Sequence, residues 1–355
     1  MKKLVLVLMA VVMVFTLTAC GGNDDVEDEK AKMILIIPGT LGDKSYLDRA
    51  AVGAERIEEL YGDQIDVTVR EIGRDETNFA PALYDAADEG YDLIVTITWG
   101  MAQYMEEVAP QYQDQKFMII DTSLNFDELE LDNTYAQVFL PEQGSYLAGA
   151  VAAMVSETGH IGFLGGMDIT GINDFLVGYI QGAQAVNPDI RVAVSYIGSF
   201  TDSAKGKEMA LAQYNSGVDI GYNVAGGAGL GQIDAAVETG QLAIGVDSDQ
   251  YALFEDSDSD KADTIVTSMI KAIDEGMLTA IEAFLNDEWP GGTVDYLGLP
   301  GVGLIKNDMY ESHLTADQLA TIDQMEADII SGAIEVGRAV GMTTEELNEL
   351  RDSVQ

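Results

Sequence analysis

The sequence predicts an α/β protein with two similar lobes, each built around a parallel sheet with helices on both faces. Three observations lead to this fold class. Short apolar runs alternate with amphipathic segments along most of the chain, which is typical of parallel sheets. The stretch 33–121 is matched, run by run, by the stretch 160–247. The last apolar run of each stretch ends in an aspartate, Asp121 in the first and Asp247 in the second. Two copies of one array predict two lobes with a cleft between them.

The first lobe is predicted from apolar runs that are too short for helices and rich in β-branched residues. The expected strands are residues 33–37, 65–69, 93–97, 117–120 and 135–139, and the expected helices are 47–60, 79–89 and 101–111. A helix rich in small residues, 145–155, then carries the chain towards the second lobe.

The second lobe repeats this scheme. Its expected strands are residues 161–165, 192–196, 220–224, 243–246 and 264–267, with a helix over 175–186 after the first of them. The chain is then predicted to return to the first lobe as a helix over 269–285, followed by a turn at 291–294. A last crossing and a terminal strand are expected within 296–305, and helices over 314–340 and 343–353 on the second lobe.

These assignments divide the chain into two lobes that are each formed from two segments. The N-terminal lobe is predicted to contain residues 33–156 and about 269–292. The C-terminal lobe is predicted to contain residues 157–268 and about 296–355. Three crossings between the lobes predict a stiff hinge.

Residues 1–20 are typical of a bacterial lipoprotein signal peptide. Two lysines precede an apolar stretch, 4–17, that is short for a membrane span. The stretch runs into Cys20, the single cysteine of the chain, which favours a lipid attachment point over a disulfide. An ordinary secretory signal or an anchor helix is the alternative. Residues 21–32 are expected to form a flexible tether. The lipoprotein signal predicts a protein anchored by lipid on the extracytoplasmic face of the cell membrane.

The composition limits which domains the chain can form and which kinds of partner it can bind. The chain has 355 residues, of which 47% are apolar and 22% charged, so two ordinary cores can form. The net charge of −43 argues against nucleic acid and anionic lipid as partners, because both carry negative charge. We therefore expect contact with the membrane through the lipid anchor only, and a monomer.

Ligands of open α/β sheets bind beyond the carboxyl ends of the strands. Two of the loops expected there contain an aromatic residue beside small polar ones, Tyr46 in the first lobe and Phe200 in the second, and two others begin at Asp121 and Asp247. Two aromatic side chains can hold a flat ring between them, and a carboxylate suits a diol or a ring N–H. The set predicts a sandwiched base with a hydrogen-bonded sugar. Plain packing of the aromatic residues and helix capping by the aspartates are the alternatives.

Other motifs are weaker. The run Gly226-Gly-Ala-Gly-Leu-Gly231 follows a predicted strand and opens a helix, as a dinucleotide-binding motif does. It lies in the third strand–helix unit of its lobe, so its glycines are instead expected to let the backbone approach a ligand. The acidic run 255–260 lacks the glycine and the glutamate that a calcium loop needs. No metal and no cofactor are predicted.

The sequence does not favour an enzyme. Its two histidines, His160 and His313, lie outside the expected cleft loops. The chain has neither a Gly-x-Ser-x-Gly motif nor the histidine spacing of a zinc site. Carboxylates alone can hydrolyse a glycosidic bond, so that reaction stays open as an alternative.

A set of short motifs carries a family resemblance. In chain order they are Asp43-Lys-Ser-Tyr46, Phe163-Leu-Gly-Gly-Met-Asp168, Val186-Asn-Pro-Asp189, Gly198-Ser-Phe-Thr-Asp202 with Lys205-Gly-Lys207, Ala225-Gly-Gly-Ala-Gly-Leu-Gly231, Gly245-Val-Asp-Ser-Asp-Gln250 and Thr267-Ser-Met-Ile-Lys271. With them the chain resembles, over about residues 33–340, the basic membrane protein family of bacterial lipoproteins. Its members are substrate-binding components of ABC transporters, and those studied bind purine nucleosides. The resemblance implies a type I periplasmic-binding-protein fold, with two Rossmann-like lobes joined by a three-strand hinge.

The resemblance also implies roles for individual residues. Tyr46, where the family usually has phenylalanine, would stack on one face of the base and Phe200 on the other. Asp121 would hydrogen-bond the base, and Asp247 the ribose hydroxyls. The remaining residues implied to line the site are Asp43 and Ser45 in the first loop, Gly226 and Gly227 through backbone groups, Asp249 as a substitute for Asp247, and Lys271 at the sugar.

The chain departs from the family pattern at three places. Leu47-Asp48 follow the first aromatic residue, where the family often has asparagine. Asn173-Asp174 stand where the family usually has a basic pair, and Trp99 occupies a loop that is less bulky in the family. These changes bear on base preference and on ligand class.

The expected function is that of a lipid-anchored binding protein that captures a nucleoside, closes about its hinge and delivers the ligand to an ABC permease. A binding protein for a sugar or another small signal molecule is the first alternative. A nucleoside-cleaving enzyme is the second.

Overall fold

The computed structural model describes residues 30–355. The predicted signal peptide with Cys20, and most of the predicted tether, lie outside these residues. Residues Ala31–Gln355 form one compact unit.

The strands and helices alternate as predicted. The strands are β1 (Ala31–Ile37), β2 (Ile65–Glu71), β3 (Leu93–Ile97), β4 (Lys116–Ile120), β5 (Thr134–Phe139), β6 (His160–Gly165), β7 (Arg191–Tyr196), β8 (Ile220–Val224), β9 (Leu242–Asp247), β10 (Ile265–Lys271), β11 (Thr293–Leu297) and β12 (Val302–Leu304). The α-helices are α1 (Tyr46–Tyr61), α2 (Phe79–Asp88), α3 (Ala102–Val108), α4 (Pro141–Val155), α5 (Thr170–Val186), α6 (Ser203–Asn215), α7 (Leu230–Thr239), α8 (Gln250–Glu255), α9 (Ser259–Ala262), α10 (Ile273–Leu285), α11 (Asp308–His313), α12 (Ala316–Ile330) and α13 (Thr344–Asp352).

The two sheets have the same strand order. The first has the order β11-β5-β4-β3-β1-β2 and the second the order β12-β10-β9-β8-β6-β7. Every strand pair of the first sheet is parallel. In the second sheet only the pair of β10 with β12 is antiparallel. The internal repeat of the sequence is therefore a repeat of two doubly wound lobes, and the predicted fold class is confirmed.

The central strands are buried on both faces. The five residues 33–37 of β1 are 0% exposed, because helices cover both sides of a parallel sheet. One face of β1 packs with α1, through the cluster that includes Met33, Leu35 and Ile57. The other face packs with α2, through Ile34 and Ile36. A continuous apolar run therefore marks an interior strand of this fold.

The chain crosses between the lobes three times, and the crossings are hydrogen-bonded to one another. They follow β5, β10 and β11. The backbone N–H of Leu140 donates to the carbonyl of Leu297 at 2.9 Å, and the N–H of Ala272 donates to that of Gly301 at 2.9 Å. The side-chain carbonyl of Gln143 accepts from the N–H of Leu299 at 3.0 Å. The predicted three-strand hinge is confirmed.

The second lobe is held to the first crossing by close packing of α4 on α5. A methyl group in place of the hydrogen of Gly182 would overlap the carbonyl of Tyr146, and one at Gly149 would overlap that of Tyr179. Glycine is therefore needed where the two helix backbones meet. This contact fixes the position of α5 against α4.

The structure differs from the predicted elements in three segments after residue 264. The helix expected over 269–285 begins at Ile273, because the β-branched run continues β10 to Lys271. Residues expected to form a turn and the start of a crossing pair as β11 with β5 in the first sheet, so the chain leaves that sheet after Leu297. The helix expected to reach residue 340 ends at Ile330, just before Gly332 with its φ of 76°.

Candidate functional site

Loops from the two lobes contact one another beyond the ends of the strands. The hydroxyl of Ser45 donates to Asp247 Oδ2 at 2.7 Å. The hydroxyl of Ser248 donates to the Ser45 carbonyl at 3.1 Å, and Gln250 Nε2 donates to the Lys44 carbonyl at 3.1 Å. The loop before α1 is thus bound to the loop after β9, and Ser45 and Asp247, both assigned to the candidate site, contact each other.

A partly buried ion pair joins the lobes at a second point. Lys271 Nζ lies 2.6 Å from Asp121 Oδ2, and the two side chains are 5% and 21% exposed. The ammonium group also lies 5.3 Å from the centre of the Tyr46 ring and 4.9 Å from that of the Phe175 ring. At these distances each aromatic face attracts the cation. Lys271 and Asp121, assigned by resemblance to the sugar and the base side of a ligand, therefore contact each other.

Asp247 lies inside the site. Its residue is 6% exposed. Burial raises the pKa of Asp247 to about 6, against the opposing effects of the Lys271 charge and the Ser45 hydrogen bond. Asp121 and Asp43 lie close enough for their negative charges to add to the increase. A carboxyl group with such a pKa changes its charge within the physiological range.

Backbone strain is concentrated around the same loops. Within residues 30–355, five residues other than glycine have a positive φ. Three of them lie in these loops, Lys44 at 50°, Asp121 at 67° and Asp247 at 63°, and Thr98, at 78°, follows β3. Such conformations are unfavourable for side chains with a Cβ, most of all for β-branched threonine, and persist where the surroundings enforce them. Strain of this kind is typical of functional sites. No pattern in the sequence indicated this strain at Thr98.

Phe200 lies on the second-lobe side, beside the glycine run. Its ring packs so closely on Gly166 that a methyl group there would overlap it. Its carbonyl accepts from the N–H of Ala228 at 3.0 Å. Gly226, with a φ of 54°, and Gly227 lie against the Phe200 carbonyl, and a Cβ at Gly227 would be 3.6 Å from that of Asp43 in the other lobe. The run thus provides room for an approach between lobes.

Two of the acidic residues assigned to the site cap helices. Asp43 accepts from the N–H groups of Ser45, Leu47 and Asp48 at 3.0–3.1 Å, ahead of α1. Burial raises the pKa of Asp43. Asp249 accepts from the N–H of Ala252 at 3.1 Å at the start of α8. Helix capping, the alternative left open for Asp121 and Asp247, is thus the structural role of Asp43 and Asp249.

Phe175 was not among the residues assigned from sequence. It is 4% exposed and faces the Lys271 ammonium group from α5. The internal repeat offered a signal. In each lobe the helix after the first strand carries an aromatic residue of the site: α1 carries Tyr46, and α5 carries Phe175.

Comparisons with known proteins agree with this architecture. The sequence model of the Bmp family, described as "ABC transporter substrate-binding protein PnrA-like", matches residues 30–338. The chain belongs to the Bmp family. It is thus an ABC transporter substrate-binding protein, whose partners are a small-molecule ligand and an ABC permease.

Individual relatives span most of the chain. Basic membrane protein A1 of Borrelia garinii subsp. bavariensis is 33% identical over 86% of this chain and 88% of its own length. A protein named ABC transporter nucleoside-binding protein BmpA, from Lactococcus lactis subsp. cremoris, is 31% identical over 71% of this chain and 73% of its own. A solved ABC transporter solute-binding protein from Aeropyrum pernix K1 superposes with a TM-score of 0.78 at 25% identity, covering 91% of this chain and 98% of the other. The type I periplasmic-binding-protein fold is confirmed.

Basic side chains of the C-terminal segment contact Asn173 and Asp174, where the resemblance predicted a basic pair. Arg351 Nη2 lies 2.7 Å from Asp168 Oδ1 and 3.1 Å from Asn173 Oδ1. Arg338 Nη2 lies 3.3 Å from Asp174 Oδ2. Arg351 lies beyond the last residue that the family model matches. The acidic and amide side chains therefore fasten Arg338 and Arg351 to the first turn of α5 and to the loop before it.

The other two departures have different surroundings. Asp48 accepts from the N–H groups of Gly42 and Lys44 at 2.7 and 2.8 Å, so it shapes the loop before α1. Trp99 is 59% exposed and follows the strained Thr98 after β3. Asp48 has a structural role, and nothing in the described contacts explains the size of Trp99.

Within residues 30–355, no helix is both long and apolar enough to span a membrane. The same residues contain no group of three or more His, Cys, Asp or Glu side chains placed to hold a metal ion.

Glu142, beside the first crossing, makes the stability of the hinge region dependent on pH. It is 2% exposed and 3.3 Å from Arg338 Nε, and burial raises its pKa to about 7. The fold thus disfavours the ionised form of Glu142. The resulting loss of folding stability is absent below pH 4.5, the ordinary pKa, and complete above about pH 7. We expect Glu142→Gln to melt at a higher temperature than the unaltered chain at pH 8, and at nearly the same temperature at pH 5. Thermal unfolding at the two pH values checks this, and a variant that is less stable only at pH 8 would contradict it.

Proposed function

We propose that the protein is a lipid-anchored component of an ABC importer that binds a nucleoside, in particular a purine nucleoside, between its two lobes. The observation that carries the proposal is the meeting of Tyr46, Asp121, Asp247 and Lys271 at the boundary between the lobes. Asp121 and Lys271 are 150 residues apart in the chain, and Ser45 and Asp247 are 202 apart. Such a convergence depends on the two lobes being together, as a ligand-induced closure requires.

The chemistry of the four side chains fits a nucleoside. The Tyr46 ring offers a flat apolar face, and any nucleobase can stack on such a face. Asp121 and Asp247 offer acceptors for N–H and O–H groups, and Lys271 offers donors. The Phe200 carbonyl lies beside Gly227, which approaches Asp43 of the first lobe, so the loop of Phe200 lies near the same boundary. The name of the Lactococcus lactis relative, a nucleoside-binding protein, supports the same ligand class.

The proposed mechanism is closure about the three crossings. A ligand that contacts both lobes binds the closed form better than the open one and shifts the population towards it. The hydrogen bonds between the crossings limit the motion to a hinge at their ends. The closed form with its ligand is then the form that the permease receives.

A thermal-shift screen of nucleosides, free bases and sugars tests the ligand class. We expect inosine, guanosine or adenosine to raise the melting temperature at concentrations where ribose, glucose and the free bases do not. A shift with a sugar alone would replace the nucleoside by the sugar alternative. Incubation with inosine, followed by chromatography, tests the enzyme alternative, and release of hypoxanthine and ribose would establish cleavage.

The lipid anchor is proposed from residues 1–20 alone. Cys20→Ala is expected to move the protein from the membrane fraction to the soluble fraction of its host, because the acyl chains are attached at that thiol. Unchanged membrane association of Cys20→Ala would reject the anchor, and Ser45→Ala serves as a control that leaves the signal intact.

A further inference from the structure

The side chain of Lys44 crosses from the loop before α1 to the second lobe. Its ammonium group donates to the carbonyl of Leu253 at 3.3 Å and lies 5.0 Å from the centre of the Phe254 ring. Both partners belong to α8. At that distance the aromatic face attracts the cation. The contact is an attraction between the lobes that takes no part in the proposed stacking or in the proposed hydrogen bonds to the ligand.

Gln250 makes a second contact between the lobes, with the backbone of Lys44. Its side-chain oxygen accepts from Asn223 Nδ2 at 3.1 Å and from the N–H of Val246 at 3.4 Å. A backbone N–H can only donate, so the amide oxygen faces Val246 and the amide nitrogen faces the Lys44 carbonyl, 3.1 Å away. Gln250 is 0% exposed. The second lobe thus presents a donor of fixed orientation to a backbone oxygen of the first.

Phe254 lies near two lysines, of which only Lys44 belongs to the first lobe. Lys261 Nζ lies 5.3 Å from the centre of the same ring and 2.8 Å from Asp234 Oδ1. Phe254, Lys261 and Asp234 all lie in the second lobe, so their contacts remain when the lobes separate. The contacts of Lys44 with α8 are broken by the same motion. The two lysines therefore differ in whether they oppose opening.

We propose that Lys44 and Gln250 are positioning residues that hold the lobes closed and thereby set the affinity for every ligand that closure requires. An apparent dissociation constant increases as the binding-competent fraction of the free protein decreases. Because these contacts join protein to protein, the loss of one of them should weaken the binding of different ligands by the same factor. The proposal rests on the closure proposed above, and not on the identity of the ligand.

Removal of the ammonium group is the first test. Lys44→Met keeps the stem of the side chain and the backbone carbonyl that Gln250 contacts. We expect calorimetric titration of inosine and of guanosine into the chain from Gly21 onward, which contains the whole compact unit, to show both affinities weakened about fivefold. Affinities within twofold of the unaltered chain, or a loss confined to one of the two nucleosides, would overturn the proposal.

Lys261→Met is the matched control. It removes one positive charge from the chain and one cation from the Phe254 ring, as Lys44→Met does, but it breaks no contact between the lobes. Its inosine affinity should equal that of the unaltered chain. An equal loss in both variants would overturn the proposal, because it would assign the effect to net charge or to the surroundings of the ring.

Spin labels measure closure without a ligand. The chain from Gly21 onward contains no cysteine, so labels attach only at introduced thiols, here Glu76→Cys and Ala204→Cys. Both residues are exposed. They follow β2 and β7, the strands at the edge of each sheet opposite β11 and β12. Since the crossings lie at the β11 and β12 side, opening should increase the distance between the labels.

The distribution of that distance in the free protein separates closure from a contact of Lys44 with the ligand. We expect the short-distance population to be smaller in Lys44→Met than in the unaltered chain and in Lys261→Met. Equal distributions in all three would overturn the proposal. A failure of the unaltered chain to bind any nucleoside, with this difference present, would instead overturn the proposed function and leave the roles of Lys44 and Gln250 in place.

Discussion

Replacing Asp247 by alanine is expected to weaken inosine binding by about a hundredfold. The side chain is buried at the boundary between the lobes, and the ribose diol has two hydroxyl groups to donate to it. Hydrogen bonds to a charged acceptor contribute about 1.5–3 kcal/mol each, and a tenfold change corresponds to about 1.4 kcal/mol. Titration calorimetry at pH 7.5 measures the loss. Binding within threefold of the unaltered chain would remove Asp247 from the site.

The pH dependence of the same interaction gives a second test of Asp247. Hydroxyl donors favour its ionised form, so affinity should be complete above pH 7 and should fall as the pH drops through about 6, where the carboxyl takes up a proton. The neighbouring charges are Lys271, which lowers the pKa, and Asp121 and Asp43, which raise it. We expect about a tenfold loss between pH 7 and pH 5. Asp247→Asn should bind weakly and without this dependence, and an identical profile in both proteins would show that another group titrates.

Replacing Phe200 by alanine is expected to weaken nucleoside binding at least tenfold with little loss of fold. A base stacked on an aromatic side chain gains about 1–3 kcal/mol, which is lost when the ring is removed. The ring is half-buried and packs on Gly166, outside the main core clusters, so its removal leaves the sheet intact. Titration calorimetry measures the loss of affinity, and the melting temperature shows whether the fold is retained.

Tyr296 is the control for Phe200. It is 56% exposed and lies on β11, at the edge of the first sheet. Tyr296→Ala removes an aromatic ring of similar size that has no place in the proposed site, so it should leave affinity unchanged. An unaltered affinity in Phe200→Ala as well would reject the stacking role.

The order of strands and helices could be predicted from sequence because both sheets are parallel and buried on both faces. Apolar runs such as 33–37 then stand out against the amphipathic segments. β11 was harder to predict, since none of its residues is buried and it lies at a sheet edge. The segment after Ile330 was harder still. Its apolar residues resemble a helix, while its backbone is held by single contacts such as that of Val340 N–H with Asp174.

The candidate site was only partly predictable for a physical reason. The rule that ligands bind beyond the strand ends located the loops of Tyr46, Asp121, Phe200 and Asp247. It could not show that Lys271 reaches Asp121, because that contact depends on how the lobes meet. Nor could spacing separate a capping carboxylate such as Asp249 from one directed at the opposite lobe such as Asp247, since both lie where β9 leads into α8.

A crystal structure of the chain from Gly21 onward, grown with inosine, is the most direct measurement of the central claim. We predict electron density for one inosine between the lobes, with its base between the rings of Tyr46 and Phe200 and its ribose hydroxyls on Asp247. Density for inosine on an outer surface, with the Lys271–Asp121 pair and the Ser45–Asp247 hydrogen bond unchanged between the lobes, would contradict it.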